Sequence, residues 1–411
     1  MKSAHLIALS MAALLSASAQ ADTGAILDGI NMFTPCEDTP AYKTAANEKH
    51  GTQWAADVAY GYWNTHRAED GVPGHHRNMA LLHAQLNQRL ISDEVNGGTW
   101  LRAEVSGSWG LDKRTARNAF DLNGGYASAT DVHGDFFGPH HGGVPELALM
   151  QYLKGKRLCV IGGMVNLTNY FDAVSMANDS FSGFANTAFM NSTVLPLVDS
   201  NLGAIIQYEV NDNNYVMAAA SRTGNDFSAS SVDPFKSANK DGFVLVGEYG
   251  HIFGEGEGVL RINPFYQRFD SKCFDGHNHH TAGLAGSVEW TFNDSVSAFA
   301  RTGFSAKQQY GTAAELTAGV NLHLLPNRKD DFLGLAAGVI KGQSPYGAWD
   351  EDTEEPIGGQ NHRREYVLEA MYSFQVNDYL KIVPHAEYIS RPAYSDLSDE
   401  TLFGVQTVFS F

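Results

Sequence analysis

Cysteine is scarce, basic charge is in deficit, and after the first 21 residues no long apolar run occurs. Cys36, Cys159 and Cys273 are the only thiols among 411 residues. They are too few and too scattered for a disulfide scaffold or a zinc site. One bridge with one thiol left over stays open, and spacing does not choose the pair. With 28 Lys and Arg against 46 Asp and Glu, a formal net charge of -18, the chain lacks the basic footprint that a nucleic-acid partner needs. No uncharged apolar stretch of about 18 residues follows the N-terminal segment, so no helical membrane span is expected there. The 41 glycines follow no period of three, which excludes collagen. A hydrophobic content of 43% is too high for disorder. Catalytic motifs are missing as well: no G-x-S-x-G, no H-E-x-x-H, no glycine-rich phosphate loop. The expectation is a protein that is not an enzyme and carries no cofactor or metal.

What is present begins with an address. Lys2 precedes an apolar stretch over 6–15, and Ala19-Gln20-Ala21 stands just before Asp22. A basic start, a short apolar segment and an A-x-A site make residues 1–21 a secretory signal peptide. An ordinary N-terminal helix is the alternative, and it would need a polar face that this stretch does not have.

From residue 53 to 411 short alternating segments recur. Phe403, Val405, Thr407, Phe409 and Phe411 share one face, with Leu402, Gly404, Gln406, Val408 and Ser410 opposite. In 78–91, Leu82, Ala84, Leu86 and Leu90 oppose His83, Gln85, Asn87 and Arg89. In 99–109, Leu101, Ala103 and Val105 oppose Trp100, Arg102, Glu104, Ser106 and Ser108. A period of two with one apolar face marks a strand. Repeated along the chain, this reading gives about sixteen strands, an even number as in bacterial membrane barrels. A soluble β-sandwich also alternates, but it does not carry this much sheet. Aromatic residues such as Tyr60, Tyr62, Tyr249, Tyr266, Trp290, Tyr372 and Tyr388 sit toward segment ends, as interfacial girdles require. Short polar turns (Asn293-Asp294, Asn377-Asp378) alternate with long connections over 110–145, 168–201, 222–241, 270–281 and 342–363. The expected fold is all-β: a transmembrane antiparallel β-barrel over 53–411, with an inward or long external loop around 168–201. Residues 22–52 form an N-terminal extension without a clean period, either periplasmic or a plug inside the lumen.

Several stretches are similar to the carbohydrate-selective porin (OprB-type) family of bacterial outer-membrane barrels. They are the run from Gly162 through Tyr170-Phe171-Asp172, the run from Phe181 to Asn191, and the C-terminal runs 364–372, 382–389 and Arg391-Pro392. The resemblance spans roughly 55–411. The chain departs from it at Val165-Asn166-Leu167, where the family more often has a charged or aromatic residue. The resemblance implies an outer-membrane channel through which mono- or oligosaccharides diffuse passively into the periplasm, and it favours an inward loop after Tyr170. The partners implied are small-molecule sugars and outer-membrane lipid, with no nucleic acid. Because porins often form trimers, a homo-oligomer is left open.

If the apolar faces meet lipid, the opposite faces line the lumen. Alternation places Asp57, Arg89, Arg102, Glu104, Glu146, Arg261, Glu289, Arg301 and Glu365 there. Sugar recognition needs hydrogen bonds to hydroxyls and an aromatic face. Trp100, Arg102 and Glu104 supply these within five residues, with Arg89 expected on the neighbouring strand, so these four are the candidate sugar-contact or constriction cluster. The bland reading is a set of wall residues ion-paired to one another. The excess of luminal acids predicts cations favoured over anions. His75-His76, His140-His141, the histidines of 277–280 and the acidic run 350–355 read as loop decoration, without ligand spacing for a metal. The alternatives kept are a general cation-preferring porin, an outer-membrane enzyme and a conduit for polysaccharide secretion.

Overall fold

Alternating side chains leave an extended backbone one way to satisfy its hydrogen bonds in lipid, which is to pair every strand on both sides. The computed structural model of the protein does this. It describes residues 25–32, 41–67, 76–111, 140–179, 181–198, 200–223, 242–268, 280–306, 312–342, 349–350, 355–356, 364–392 and 399–411. Residues 1–21, the expected signal peptide, together with Cys36, Cys273, His75, the histidines of 277–279 and most of the acidic run 350–355, lie outside the described residues.

Two helices precede the sheet, α1 (Ala25–Asn31) and α2 (Ala41–His50). The first strands are β1 (Thr52–Arg67), β2 (His76–Ile91), β3 (Thr99–Gly110), β4 (His140–Leu153) and β5 (Leu158–Val165). After a long connection come β6 (Asn201–Asn211), β7 (Asn214–Arg222), β8 (Phe243–Phe253), β9 (Gly258–Arg268) and β10 (His280–Asn293). Then follow β11 (Val296–Ala306), β12 (Thr312–Leu322) and β13 (Phe332–Gly342). The last three are β14 (Arg364–Asn377), β15 (Leu380–Ser390) and β16 (Glu400–Ser410). Each pairs antiparallel with its sequence neighbours, and β16 pairs with β1 to close the barrel. A two-residue pairing of Trp349–Asp350 with Glu355–Pro356 stands apart from it.

The faces fall as the alternation predicts. Leu147, Leu149, Ile206, Leu245, Leu260, Ile262, Leu284, Leu316, Leu368 and Ile382 are exposed on the outside, which is the surface that meets hydrocarbon. Exposed aromatics flank that band. Trp290, Phe292, Phe374, Tyr379, Phe409 and Phe411 lie toward the end with short turns, and Tyr60, Tyr62, Trp109, Phe304 and Tyr388 toward the other. Trp290 stacks on Phe292 with ring centroids 5.1 Å apart.

The short turns gather at one end. The one before β3 uses Gly98 at φ +81°, where an added Cβ would lie 2.1 Å from the Ile91 carbonyl oxygen, so only glycine fits. The β12–β13 turn is clamped to β14. Arg328 Nε donates to Asp331 Oδ2 at 2.5 Å, and Asp331 Oδ1 accepts from the Gln375 N–H at 2.9 Å. Burial pushes the Asp331 carboxyl up, but Arg328 and the Gln375 N–H outweigh it and hold it below the ordinary aspartate value of 3.8. A depressed folded-state value contributes stability that is present above the unfolded value and is lost as pH falls through the folded one. Asp331→Asn is therefore expected to destabilise the detergent-solubilised barrel at pH 7 and to matter progressively less as pH falls below the ordinary aspartate value, read from urea unfolding midpoints. A difference that does not shrink as pH is lowered would show that the carboxylate charge is not what holds the turn.

Candidate functional site

The connection from β5 to β6 turns into the barrel. It is pinned at its base, where Leu167 N–H donates to Val198 O at 2.9 Å and Ser200 N–H to Pro145 O at 2.9 Å. Inside, short side chains organise the backbone locally. The Asn166 side chain caps the 3₁₀ turn Leu167–Asn169, and Asn186 caps α3 (Thr187–Met190) through the Ala188 N–H. Asp179 accepts from the N–H groups of Phe181 and Ser182 at 3.0 and 3.2 Å. Such side-chain caps compete with helix and sheet, and this is why the segment has no hydrophobic period.

Its aromatic residues face the wall. Phe181, Phe184 and Phe189 are buried against Met79, Leu81, Phe299, Phe332, Ile340, Val367 and Met371. Tyr170 and Phe171 pack among Ile161, Ile205, Tyr215, Val244 and Phe265. The inward face of the sheet thus carries apolar patches where these side chains lie against it.

Between these apolar contacts, wall carboxylates hold the loop. Glu104 accepts from Asn169 Nδ2 at 2.5 Å and from Asn166 Nδ2 at 3.3 Å. Glu146 accepts from Tyr170 OH and from Asn169 Nδ2, and it pairs with Arg102 at 2.8 Å. Glu248 accepts from the Asp172 N–H at 2.9 Å, and Glu289 from the Ser175 N–H at 2.8 Å and its hydroxyl at 2.6 Å. Arg261 bonds Glu289 at 2.6 Å and lies 4.0 Å from Glu248. Glu315 takes the Ser192 hydroxyl and the Thr193 N–H, Glu369 the Ala185 and Asn186 N–H groups, and Glu387 the Asn186 amide. Arg301 works in the opposite sense: it donates to the carbonyls of Phe189 and Met190 and pairs with Asp172 at 2.8 Å. Asp172 itself sits at φ 53°, a left-handed conformation that Asp tolerates better than most residues. Bonds to charged groups contribute about 1.5–3 kcal/mol each, so the loop is fixed from strands around the barrel.

The residues singled out from sequence therefore divide. Trp100, Arg102, Glu104, Glu146, Arg261, Glu289, Arg301 and Glu365 are all buried, none more than 6% exposed. Of these, Arg102, Glu104, Glu146, Arg261, Glu289 and Arg301 belong to the network that holds the loop. Asp57 and Arg89 point inward and stay half-exposed. Arg89 lies over the Trp100 ring, 5.7 Å from its centroid. Beside them on β2, His83 and Gln85 are also half-open. His83 Nε2 is 3.0 Å from Glu104 Oε1, and its ring stacks on Phe181 at 6.2 Å. Asp57 lies within electrostatic reach of His83, Lys381 and, on the loop, Asp179. These half-buried polar side chains thus lie between the β1–β2 wall and the edge of the loop at 176–179 and Phe181. The polar wall is the face of β2 that alternation picks out. The facing edge of the loop, with Asp179, carries no periodic signal to find it by.

The model of the carbohydrate-selective porin, OprB family matches residues 124–411. The chain belongs to this family. The porin also resembles solved structures. The high-pH structure of Pseudomonas putida OprB aligns with a TM-score of 0.70 at 14% identity, covering 90% of this chain and 96% of that one. The low-pH structure of the same protein aligns at 0.54 and 12% identity, covering 92% and 97%. A mutant of the Rh. blastica porin aligns at 0.51 and 11%, covering 88% of this chain and 100% of that one. At these identities the likeness concerns the fold. No curated protein matches the chain. Family and fold together make the protein a bacterial outer-membrane sugar porin, and the sixteen-strand closed barrel expected from alternation is the fold found.

Proposed function

We propose that mono- or short oligosaccharides diffuse passively into the periplasm through the bore between the β1–β2 wall and the inward loop, with sugars and outer-membrane lipid as the porin's partners. The observation that carries this is where polar side chains remain reachable. Asp57, His83, Gln85 and Arg89 are half-buried on two adjacent strands, while inward charges of the other strands, such as Arg102, Glu146, Glu248, Arg261, Glu289 and Arg301, are buried. Conduction needs contacts weak enough to release, and half-hydrated side chains fit that need. In this reading Asp57 and Arg89 touch the solute, Trp100 backs Arg89, and Arg102, Glu104, Glu146, Arg261, Glu289 and Arg301 act as positioning residues. Glu365 belongs to the buried wall.

Single-channel recording in a planar bilayer tests this. Discrete open steps should appear, and glucose or short oligosaccharides should reduce the current saturably at millimolar levels. Asp57→Asn or Arg89→Ala should weaken that block without removing the steps. Steps indifferent to every sugar would leave a general cation-preferring porin, the reading that the acids Asp57 and Asp179 also favour. Release of product from lipid or glycan by the folded protein would make it an enzyme instead.

A further inference from the structure

The lumen holds a second foreign element besides the loop. Helix α1 comes before the first strand, yet its partners are inward-facing side chains of β2, β3 and β6. Its Leu27 N–H donates to Glu209 Oε1 at 2.8 Å. Asn31 Nδ2 donates to Gln207 Oε1 at 2.5 Å, and the Asn31 carbonyl accepts from Arg102 Nη1 at 2.9 Å and Asn87 Nδ2 at 3.2 Å. Ile26 and Leu27 are buried among Trp100, Met150, Tyr152, Cys159 and Ile205.

The depth of the helix follows from these partners. Gln207 and Glu209 precede the turn at 212–213, Asn87 and Arg102 flank the one at 92–98, and Tyr152 and Cys159 flank the one at 154–157. All three are short turns, so α1 occupies the end of the barrel that short turns mark as periplasmic. The apolar wall beneath it is the second sign. A water-filled lumen calls for polar inward side chains, whereas this arc of β4 to β6 presents Met150, Tyr152, Cys159, Ile161 and Ile205. That surface is built to be covered. The Glu209 carboxylate takes one of the four N–H groups that a helix N-terminus leaves unbonded, where its charge also meets the favourable end of the dipole.

Nothing in the loop or in the β1–β2 bore requires a helix here. We infer that α1 is a resident second constriction at the periplasmic mouth, in series with the inward loop, and that it sets the upper size of sugar that leaves the channel. Solute that passes between Asp57 and Asp179 must then pass α1, which touches β2 at Asn87 and leaves Gln53 and Arg89 half-buried beside it. Because Arg102 bonds both Glu146 and the Asn31 carbonyl, the same wall residue supports the loop and the plug. The inference rests on the channel reading above.

The test compares the full-length porin with a variant lacking residues 25–32 and with Leu27→Asp. The aspartate places a charge in the apolar seat and beside Glu209, and it leaves every strand unaltered. Heat-modifiable migration on gels identifies closed barrels in each case. Two measurements follow: single-channel conductance, and liposome swelling in glucose against a trisaccharide. Both variants should conduct about twofold more, as when one of two comparable resistances in series is removed. The trisaccharide rate should rise more than the glucose rate. A closed barrel with unchanged conductance and unchanged sugar ratio would overturn the inference while leaving the channel reading intact. If neither the full-length protein nor the variants open at all, the channel reading itself falls, and the plug with it. Should deletion prevent closure, Leu27→Asp alone decides.

Discussion

Arg301→Ala is expected to unfasten the inward loop while the barrel stays closed. The guanidinium serves three groups at once, the Phe189 and Met190 carbonyls and the Asp172 carboxylate, and it is 1% exposed. Truncation leaves that carboxylate buried without its cation, a loss of about 3–5 kcal/mol when one partner of a buried pair is removed. The strand itself keeps its ladder to β10 and β12, so the damage falls on the loop. Hydrogen exchange of amides over 172–194 should speed up on the order of 100- to 1,000-fold, while strand amides exchange as before. Channel recordings should show a larger, noisier conductance. Arg301→Lys keeps the charge but not the fork that reaches two carbonyls, and it should fall between. Loop amides that exchange at the wild-type rate in Arg301→Ala would mean that the carboxylate contacts hold the loop without it.

Asp57→Lys is expected to reverse the sign of ion preference. The barrel's many wall carboxylates are poor candidates for setting that preference, because Glu248, Glu289, Glu315 and Glu369 are buried and engaged by loop N–H groups. The field acting on a passing ion comes from charges at the open bore, where low-dielectric walls focus it. There Asp57 stands on the wall and Asp179 faces it from the loop. Wild-type protein in a salt gradient should give a reversal potential on the potassium side, and Asp57→Lys should move it to the chloride side. Asp179 is the less clean target, since it also caps the turn at Phe181 and Ser182. A reversal potential unaltered by Asp57→Lys would place the selectivity elsewhere in the path.

The fold was largely legible because one period governs it. A strand in a barrel wall has lipid on one side, so a single residue's face assigns all the others, and every segment with a period of two became a strand. The same rule put Glu146, Glu289, Arg301 and Glu365 on the inner face. It could not say what that face meets. Glu369 touches Ala185, and Glu315 touches Thr193, across more than a hundred residues of chain, and alternation carries no information about such pairings. Nor does it explain an inward Ile161 or Ile340, which belong to apolar patches that exist only because the loop and α1 lie over them. His83 illustrates the remaining gap. Its place on the polar face was readable, but its place at the open edge depends on where Phe181 rests.

The closing pair of strands has a consequence for biogenesis. β1 meets β16 from Asp57 opposite Ser410 to Arg67 opposite Glu400, and Ala56 and Phe411 exchange both backbone hydrogen bonds, at 3.2 and 2.8 Å. Every other junction joins strands that are neighbours in the chain; this one joins its two ends. Until β16 meets β1, the sheet has two unpaired edges, each a template for aggregation. A chain cut before Glu400 is therefore left with a wall it cannot close.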